Sequence, residues 1–563
     1  MARKERRGLE RLRSVRPTTS LRGIPPLGFR RPRRAVSLVT LLLFLVHTVY
    51  SGAGLAQSII PDGRTQTNVV TSGNVTDVST STFAGAQAIN SFERFNVDPG
   101  HAVNLHIPTT AANLLNLVHS GTTRIDGILN SIQDGAIGGN VYFLNPHGVV
   151  VGREGVINAG SLALITPAAA FMESFFAPWG EIDLAAVSAV LSGAVPISAS
   201  GLVLVEGRVN AARDIVIAAG SVTNEGEIVS GGGFSGSGSG VGDGAGPGSG
   251  FGGGFGLAGL VNVDGLEFGG GLAVENGRIV IVAAGDLVNR GAVRADGTSG
   301  SGSGEIEIRS GGDVTFAAGS VASARGTGAE SPGGRVVVFA GGDAAPRPGA
   351  LIDVRGGEIS GDGGFAEFSA RGTVRLAGDI RASAANGKAG SIAIDPEDVE
   401  VLADVFTDGA DYIVDADNSI TVAAGVTIST RQVAGGESGD HANAPSEGDS
   451  GSIQLTAPKI TVGRGARLLA HAINEGGTDY HAGNIARRLP LQGRRRRDRP
   501  RGFRHERGAR HQLPAFGPPR GNAGLRAPAQ RGAARTRKGR PIPHQGGTRF
   551  LTEARRACRS PMR

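Results

Sequence analysis

Residue types that do chemistry are sparse and scattered in this 563-residue chain. There is a single cysteine, Cys558, so no thiolate pair can hold a metal or exchange a disulfide. His101 and His106 lie five apart in strand-like sequence with no third ligand near them, which suits surface or turn histidines better than a metal site. Asp395 and Asp398 flank Pro396, a chain breaker, and a solvated acidic turn accounts for both. No HExxH, CxxC, phosphate-loop or GxSxG motif occurs. The expectation is a protein that is not an enzyme and has no metal and no cofactor. The enzymatic alternative is a carbohydrate-active β-helix protein with paired carboxylates in a surface cleft. Its acids would have to recur at one phase of successive repeats, and here they do not.

What must position any functional residue is a series of short strands. Residues 91–167 alternate apolar and polar positions (Val103, Leu105 and Ile107; Val141 and Phe143; Val149 and Val151) and are cut by Gly, Asn and Pro. At the centre lies Asn145-Pro146-His147-Gly148. Pro146 fixes its own φ, Gly148 can supply a positive φ, and the Asn145 side chain can bond the local backbone.

Several ordered motifs surround this turn: Phe92-x-x-Phe95-Asn96-Val97, Val103-Asn104-Leu105, Ile125-x-Gly127-x-Leu129, Asn140-Val141-x-Phe143-Leu144-Asn145-Pro146-x-Gly148 and Gly155-x-x-Asn158-x-Gly160-Ser161-Leu162. Together they resemble the secretion domain of two-partner-secreted filamentous haemagglutinins and related large adhesins, over roughly residues 57–185. The family usually has Asn-Pro-Asn-Gly where this chain has His147 in third place. The resemblance implies Sec export of an unfolded chain to the periplasm of a Gram-negative bacterium. It implies capture by a dedicated outer-membrane β-barrel transporter, then folding outside the cell. Asn145, Pro146 and Gly148 would be the secretion motif, with a turn that locks one coil as their competing structural role.

Other segments follow from pattern. Ile59-Ile60, residues 67–70 and residues 75–78 read as the first strands. Residues 111–118 are open between two readings: a short helix, because Leu114, Leu115, Leu117 and Val118 can share one face, or the loop or strand that the resemblance implies. From 186 to 485, Gly-small-apolar units recur at Gly304, Gly334, Gly364, Gly390 and Gly451, the first three about 30 residues apart. Second and third strands follow each unit, as at residues 313–316 and 351–354. Three short strands per repeat suit one coil of a solenoid. The expected fold is all-β, a right-handed parallel β-helix continuous with the secretion domain, with Ile306 and Ile308 stacked on Val336 and Val338. A β-sandwich with Gly-rich loops is the alternative, and the nearly fixed spacing argues against it. Residues 230–256 are a Gly-rich insertion without repeated calcium-binding nonapeptides, and residues 434–449 form a second, polar loop.

Charge divides the chain in three. Residues 1–34 carry about +10, residues 487–563 about +20, and the body between them about −23, which the overall +7 conceals. Residues 1–56 read as an extended signal peptide: a basic stretch ending at Arg34, an apolar run to about Tyr50, then a small-residue site with cleavage between Ala56 and Gln57. The tail from 486 is Arg-, Pro- and Gly-rich and loses all alternation, as a GC-rich gene does when read out of frame. It is expected to be frameshifted and disordered, and no nucleic-acid partner is expected. The function expected is a secreted, cell-surface filamentous adhesin that is truncated and binds a host or neighbouring-cell receptor. A contact-dependent toxin or haemolysin carrier is the alternative from a different class.

Overall fold

The computed structural model describes residues 59–177, 180–231, 277–297, 302–475, 477 and 479–488. The signal segment with its Ala56–Gln57 site, nearly all of the Gly-rich insertion and the tail after 488 lie outside the described residues. Strands make up 49% of the structure and helices 4%.

Three sheets run side by side, and the chain visits them in rotation. Glu305–Ser310 lies in the first sheet, Val314–Phe316 in the second and Val321–Ser323 in the third, and Arg335–Ala340 then returns to the first. Successive visits pair in parallel, one coil upon the next. The molecule is a parallel β-helix. Fourteen strands follow one another across the first sheet, and at ~4.8 Å per strand they span about 60 Å.

Alternation dictates the packing. On the first sheet Ile306 faces Val336 and Ile308 faces Val338, as the Gly-x-Ile-x-Ile repeats required. Each inward position thereby becomes a column: Phe143, Leu164, Ile217, Ile281, Ile308, Val338, Phe368, Ile394, Val414 and Leu455 stand one above another. A single coil cannot cover these side chains. Each buried one contributes about 1.5–3 kcal/mol only because neighbouring coils close over it. Arg487, near the start of the Arg-rich segment, takes the next place in that column opposite Leu455, and it is exposed. A coil at Asp411–Asp415, lacking the Gly-small opening, lies between those beginning at Gly390 and Gly451.

The first coils are closed from below. Ile59–Pro61 pairs antiparallel with Gln87–Phe95, and Thr67–Ser72 forms an antiparallel hairpin with Val75–Thr80 at the edge of the third sheet. The strands expected at 59–60, 67–70 and 75–78 are thus present.

Of the readings open at 111–118, the strand is present and the helix is not. Asn113–Val118 is a strand of the first sheet. Leu114 and Val118 enter the central core, whereas Leu115 and Leu117 pack outward into a second cluster. With both faces buried, the strand carries leucines on both faces (Leu114; Leu115 and Leu117) and loses the simple apolar–polar alternation. The outer cluster is covered by two short helices, α1 (Ala169–Glu173) and α2 (Leu184–Leu191), which bury Met172, Phe175, Ala186, Val187 and Val190 against Leu115, Tyr142, Leu144 and Ile165. Asp183 caps α2, its side chain accepting the Ala185 N–H at 2.7 Å. Residue 185, where the sequence placed a domain boundary, falls inside α2. The sheets continue across it: Ser161–Ile165 pairs with Asp214–Ala219.

Candidate functional site

The Asn145–Gly148 turn joins Asn140–Leu144 of the first sheet to Val149–Val151 of the second, so it is one corner of one coil. Its residues are interlocked with the corners on either side. Asn145 is fully buried. Its amide nitrogen donates to the Gly121 carbonyl and to Thr123 Oγ1, both at 2.9 Å, in the coil below. Its side-chain oxygen accepts the His147 N–H at 2.8 Å, and its own N–H donates to Ile165 O, in the coil above, at 3.0 Å. One residue thus closes the turn and ties three coils together. Pro146 is buried as well. Gly148 has φ +106°, and a Cβ there would lie 2.5 Å from the Leu202 carbonyl oxygen. Only glycine fits, both for backbone conformation and for space.

His147 is the exposed member of the turn. Its Nε2 lies 3.2 Å from His119 O, and its own carbonyl accepts Thr122 Oγ1 at 3.0 Å. The place where this chain departs from the family's usual Asn is therefore the place with the fewest packing demands. Below it, His119 Nε2 lies 3.1 Å from Ser91 Oγ and 3.6 Å from Asp62, and its ring faces Phe176. Burial, and then the Arg64 guanidinium, hold the His119 imidazole below its ordinary pKa, against the pull of Asp62. This corner favours a neutral imidazole.

The remaining candidates are placed apart. His101 is a turn residue, its Nδ1 3.4 Å from Pro99 O, and His106 bonds Asp77 at 2.7 Å. Among the described residues no group of three His, Cys, Asp or Glu is placed to hold a metal ion. Asp398 accepts from Asn418 and Ser419 of the next coil, which makes it a turn cap.

Asparagines overlooked in the sequence do more for the first coils than any histidine. On the outer face of the third sheet, Asn130 donates to Asn104 at 3.1 Å, Asn158 to Asn130 at 2.9 Å and Asn210 to Asn158 at 2.9 Å. Asn104 in turn donates to Asp77 at 3.1 Å. Each side-chain amide is both donor and acceptor, so a column of them satisfies itself coil after coil. Asn104 and Asn158 belong to the motifs quoted above; the signal that could have revealed the ladder was the spacing of 104, 130 and 158.

Sequence comparison shows what this corner-locked, helix-covered opening of a longer β-helix is similar to. Residues 57–245 match the family model described as TPS secretion domain. The match assigns these residues, about a third of the chain, to the secretion domain of two-partner secretion, a domain that implies an outer-membrane transporter of the TpsB kind as partner and the exterior of a Gram-negative cell as destination. The HMW1 secretion domain from Haemophilus influenzae aligns at TM-score 0.39 and 14% identity, covering 73% of this chain and 98% of that one. A filamentous hemagglutinin secretion domain aligns at TM-score 0.23 and 16% identity, covering 76% and 100%. No curated protein sequence matches the chain.

Proposed function

We propose that the protein is a secreted filamentous adhesin, a haemagglutinin-like exoprotein without catalytic activity that binds a receptor on host or neighbouring cells. Sec delivers the unfolded chain to the periplasm, and the outer-membrane transporter passes it to the surface. The observation that carries this reading is a TPS secretion domain whose coils run on to residue 488 in the same architecture. A chain built of such repeats can cross a pore unfolded and then gain stability one coil at a time, and each coil that folds outside hinders return. The test is to express it with its transporter and measure adherence of the cells to erythrocytes and epithelial cells. Adherence above that of transporter-deleted cells supports the reading, and its absence with the protein on the surface overturns it.

Asn145, Pro146 and Gly148 are the secretion motif in this reading. In the folded coil Asn145 and Pro146 are covered, so a transporter that reads them reads the chain before it folds. Asn145→Ala and Pro146→Ala should therefore accumulate in the periplasm. Undiminished export of both would leave the motif a purely structural role.

A further inference from the structure

The outer face of the third sheet is hollowed along the axis of the helix. One cavity, of ≈180 Å³, opens beside Arg208 and Arg294, and a second, of ≈380 Å³, beside Arg325 and Arg355. Thr327 lines both, so the two form one trough. The coils set its length. Arg208–Ala211 and Asp379–Arg381 are the first and last of six successive strands of this sheet, and at ~4.8 Å per strand they lie about 24 Å apart. Beyond them Asp408 and Gln432 carry the lining on, at the exits of Val405–Phe406 and Thr427–Ser429, which continue this face as a separate short sheet.

The arginines of the trough are already paired. Glu227 accepts from Arg208 Nε at 2.9 Å and lies 3.5 Å from Arg294. Asp353 accepts from Nε and Nη2 of Arg355 at 2.9 and 2.7 Å and lies 4.0 Å from Arg325. The arginines therefore call for no counter-ion from a ligand. Their side chains are nevertheless within a ligand's reach, with Arg208 54%, Arg325 44% and Arg294 36% exposed. A guanidinium has more donors, and a carboxylate more acceptor sites, than one pairing uses, so each pair keeps both kinds of group for a ligand. The late end of the trough is lined by the polar 434–449 excursion, which brings the exposed Glu447. Buried Arg431 fixes that excursion, donating to the carbonyls of His441, Ala444 and His471.

We propose that this trough binds a linear, uncharged glycan laid along the helix axis. Among the described residues five carboxylates and four arginines line it, so a polyanion gains no net attraction there. A peptide strand would need open backbone groups, but these coils spend theirs on one another: the Gly326 N–H donates to Arg355 O at 2.9 Å and the Gly356 N–H to Ser383 O at 3.0 Å. Sugar hydroxyls each donate and accept, and so match the arginine–carboxylate pairs along the trough. A ligand built of repeating units also suits a site whose own polar groups recur with the coils. The larger cavity alone is within the range of ligand-binding clefts, ~300–1,000 Å³. This goes beyond the adhesin reading, since the isolated protein would bind glycan whether or not cells adhere.

The experiment is isothermal titration with saturation-transfer NMR on the full chain. The probes are cello-, malto-, manno- and chito-oligosaccharides from disaccharide to hexasaccharide. A heparin hexasaccharide and a mixed Glu/Lys peptide are the controls. The expected result is saturable binding of at least one neutral series, tightening about tenfold from disaccharide to hexasaccharide and weakened about tenfold in Arg325→Gln and in Glu447→Gln. Both side chains are exposed, so an unchanged melting temperature shows the fold intact. No saturable binding of any neutral series overturns the inference and leaves a water-filled trough. So does binding that ignores chain length or both substitutions, and so does tighter binding of heparin or of the peptide.

Discussion

On the outer face of the third sheet, residues 104–210 stack asparagine on asparagine; on the outer face of the first sheet, from residue 278 onward, arginine stacks on glutamate. There Arg278 meets Glu307 at 3.1 Å, and Arg335 meets Glu305 at 2.7 Å and Glu367 at 3.8 Å. The early ladder is neutral and largely buried, whereas Arg335 and Glu305 are 43% and 34% exposed. The early coils also have α1 and α2 over the first sheet and an antiparallel hairpin beneath the third. The later coils show neither among the described residues, and their turns are capped by aspartates. The difference is one of task. The secretion domain has the means to fold as a closed unit, while the later coils need only add to a template already present.

The largest effects should come from the core columns. Phe143→Ala and Phe368→Ala each remove a fully buried ring, one from a cluster with Phe95 (5.0 Å between centroids), the other from a pair with Phe316 (5.8 Å). Each should cost about 3–5 kcal/mol. Hydrogen exchange should nevertheless separate them. Phe143→Ala should lower amide protection throughout the stack, and Phe368→Ala should leave residues 59–230 protected. Equal loss of protection in both would mean that the early coils are not a template.

Corner glycines give the next effect. Gly148→Ala meets both a positive φ and the Leu202 carbonyl, and should cost about 3 kcal/mol. Gly319→Ala, at a later corner with φ +79° and open space around it, should cost only about 1–2 kcal/mol. Thermal melts of the two variants check this. A Gly148→Ala variant as stable as Gly319→Ala would show that the early corner can shift.

Smaller again is the contrast between the ladders. Asn130→Ala leaves Asn104 and Asn158 short of a partner and should cost about 1–3 kcal/mol. That loss should be indifferent to salt. Glu305→Ala breaks part-exposed ion pairs with Arg335 and Arg278, should cost no more than about 1 kcal/mol, and should cost still less in about 1 M salt.

The coil register was legible because period-two alternation and the Gly-small openings agree with each other: Ile306 and Ile308 could be set against Val336 and Val338 from sequence. Where one of these cues fails, so does the reading. Asp411–Asp415 opens without the glycine signature and was passed over. Leu114, Leu115, Leu117 and Val118 lost their alternation because α1 and α2 bury the second face. α2 itself had a start signal in Asp183 and a stop in Ser192-Gly193. Asparagine usually reads as a turn former, so Asn130 inside a strand makes sense only beside Asn104 and Asn158 in neighbouring coils. The corner's chemistry was visible in Asn145, Pro146 and Gly148. Its partners Gly121, Thr123 and Ile165 depend on which coils are stacked, which no local pattern carries.

The smallest effect belongs to the aspartates that cap the later turns. Asp286 accepts the Asp313 N–H at 2.9 Å, Asp313 that of Asp343 at 2.8 Å, and Asp343 that of Thr373 at 2.8 Å, so acids do recur at one phase of three successive coils, against the expectation from sequence. The Thr373 N–H, and then the Arg375 guanidinium, hold the Asp343 carboxyl below its ordinary pKa. A group whose folded pKa lies below its unfolded value, about 3.9, stabilises the fold fully above that value and loses the contribution as pH falls through the folded one. Asp343→Asn keeps an oxygen for Thr373 but has no charge to titrate. The stability gap between wild type and Asp343→Asn should therefore be constant near neutrality and narrow below about pH 4. At the early corner the cap is neutral, so the loss in Asn145→Ala should not change over the same range. Denaturant melts from neutral to acid pH measure both gaps. A gap for Asp343→Asn that stays constant would mean that the hydrogen bond rather than the charge joins the later coils, and that the two regions differ in residue type but not in the force that stacks them.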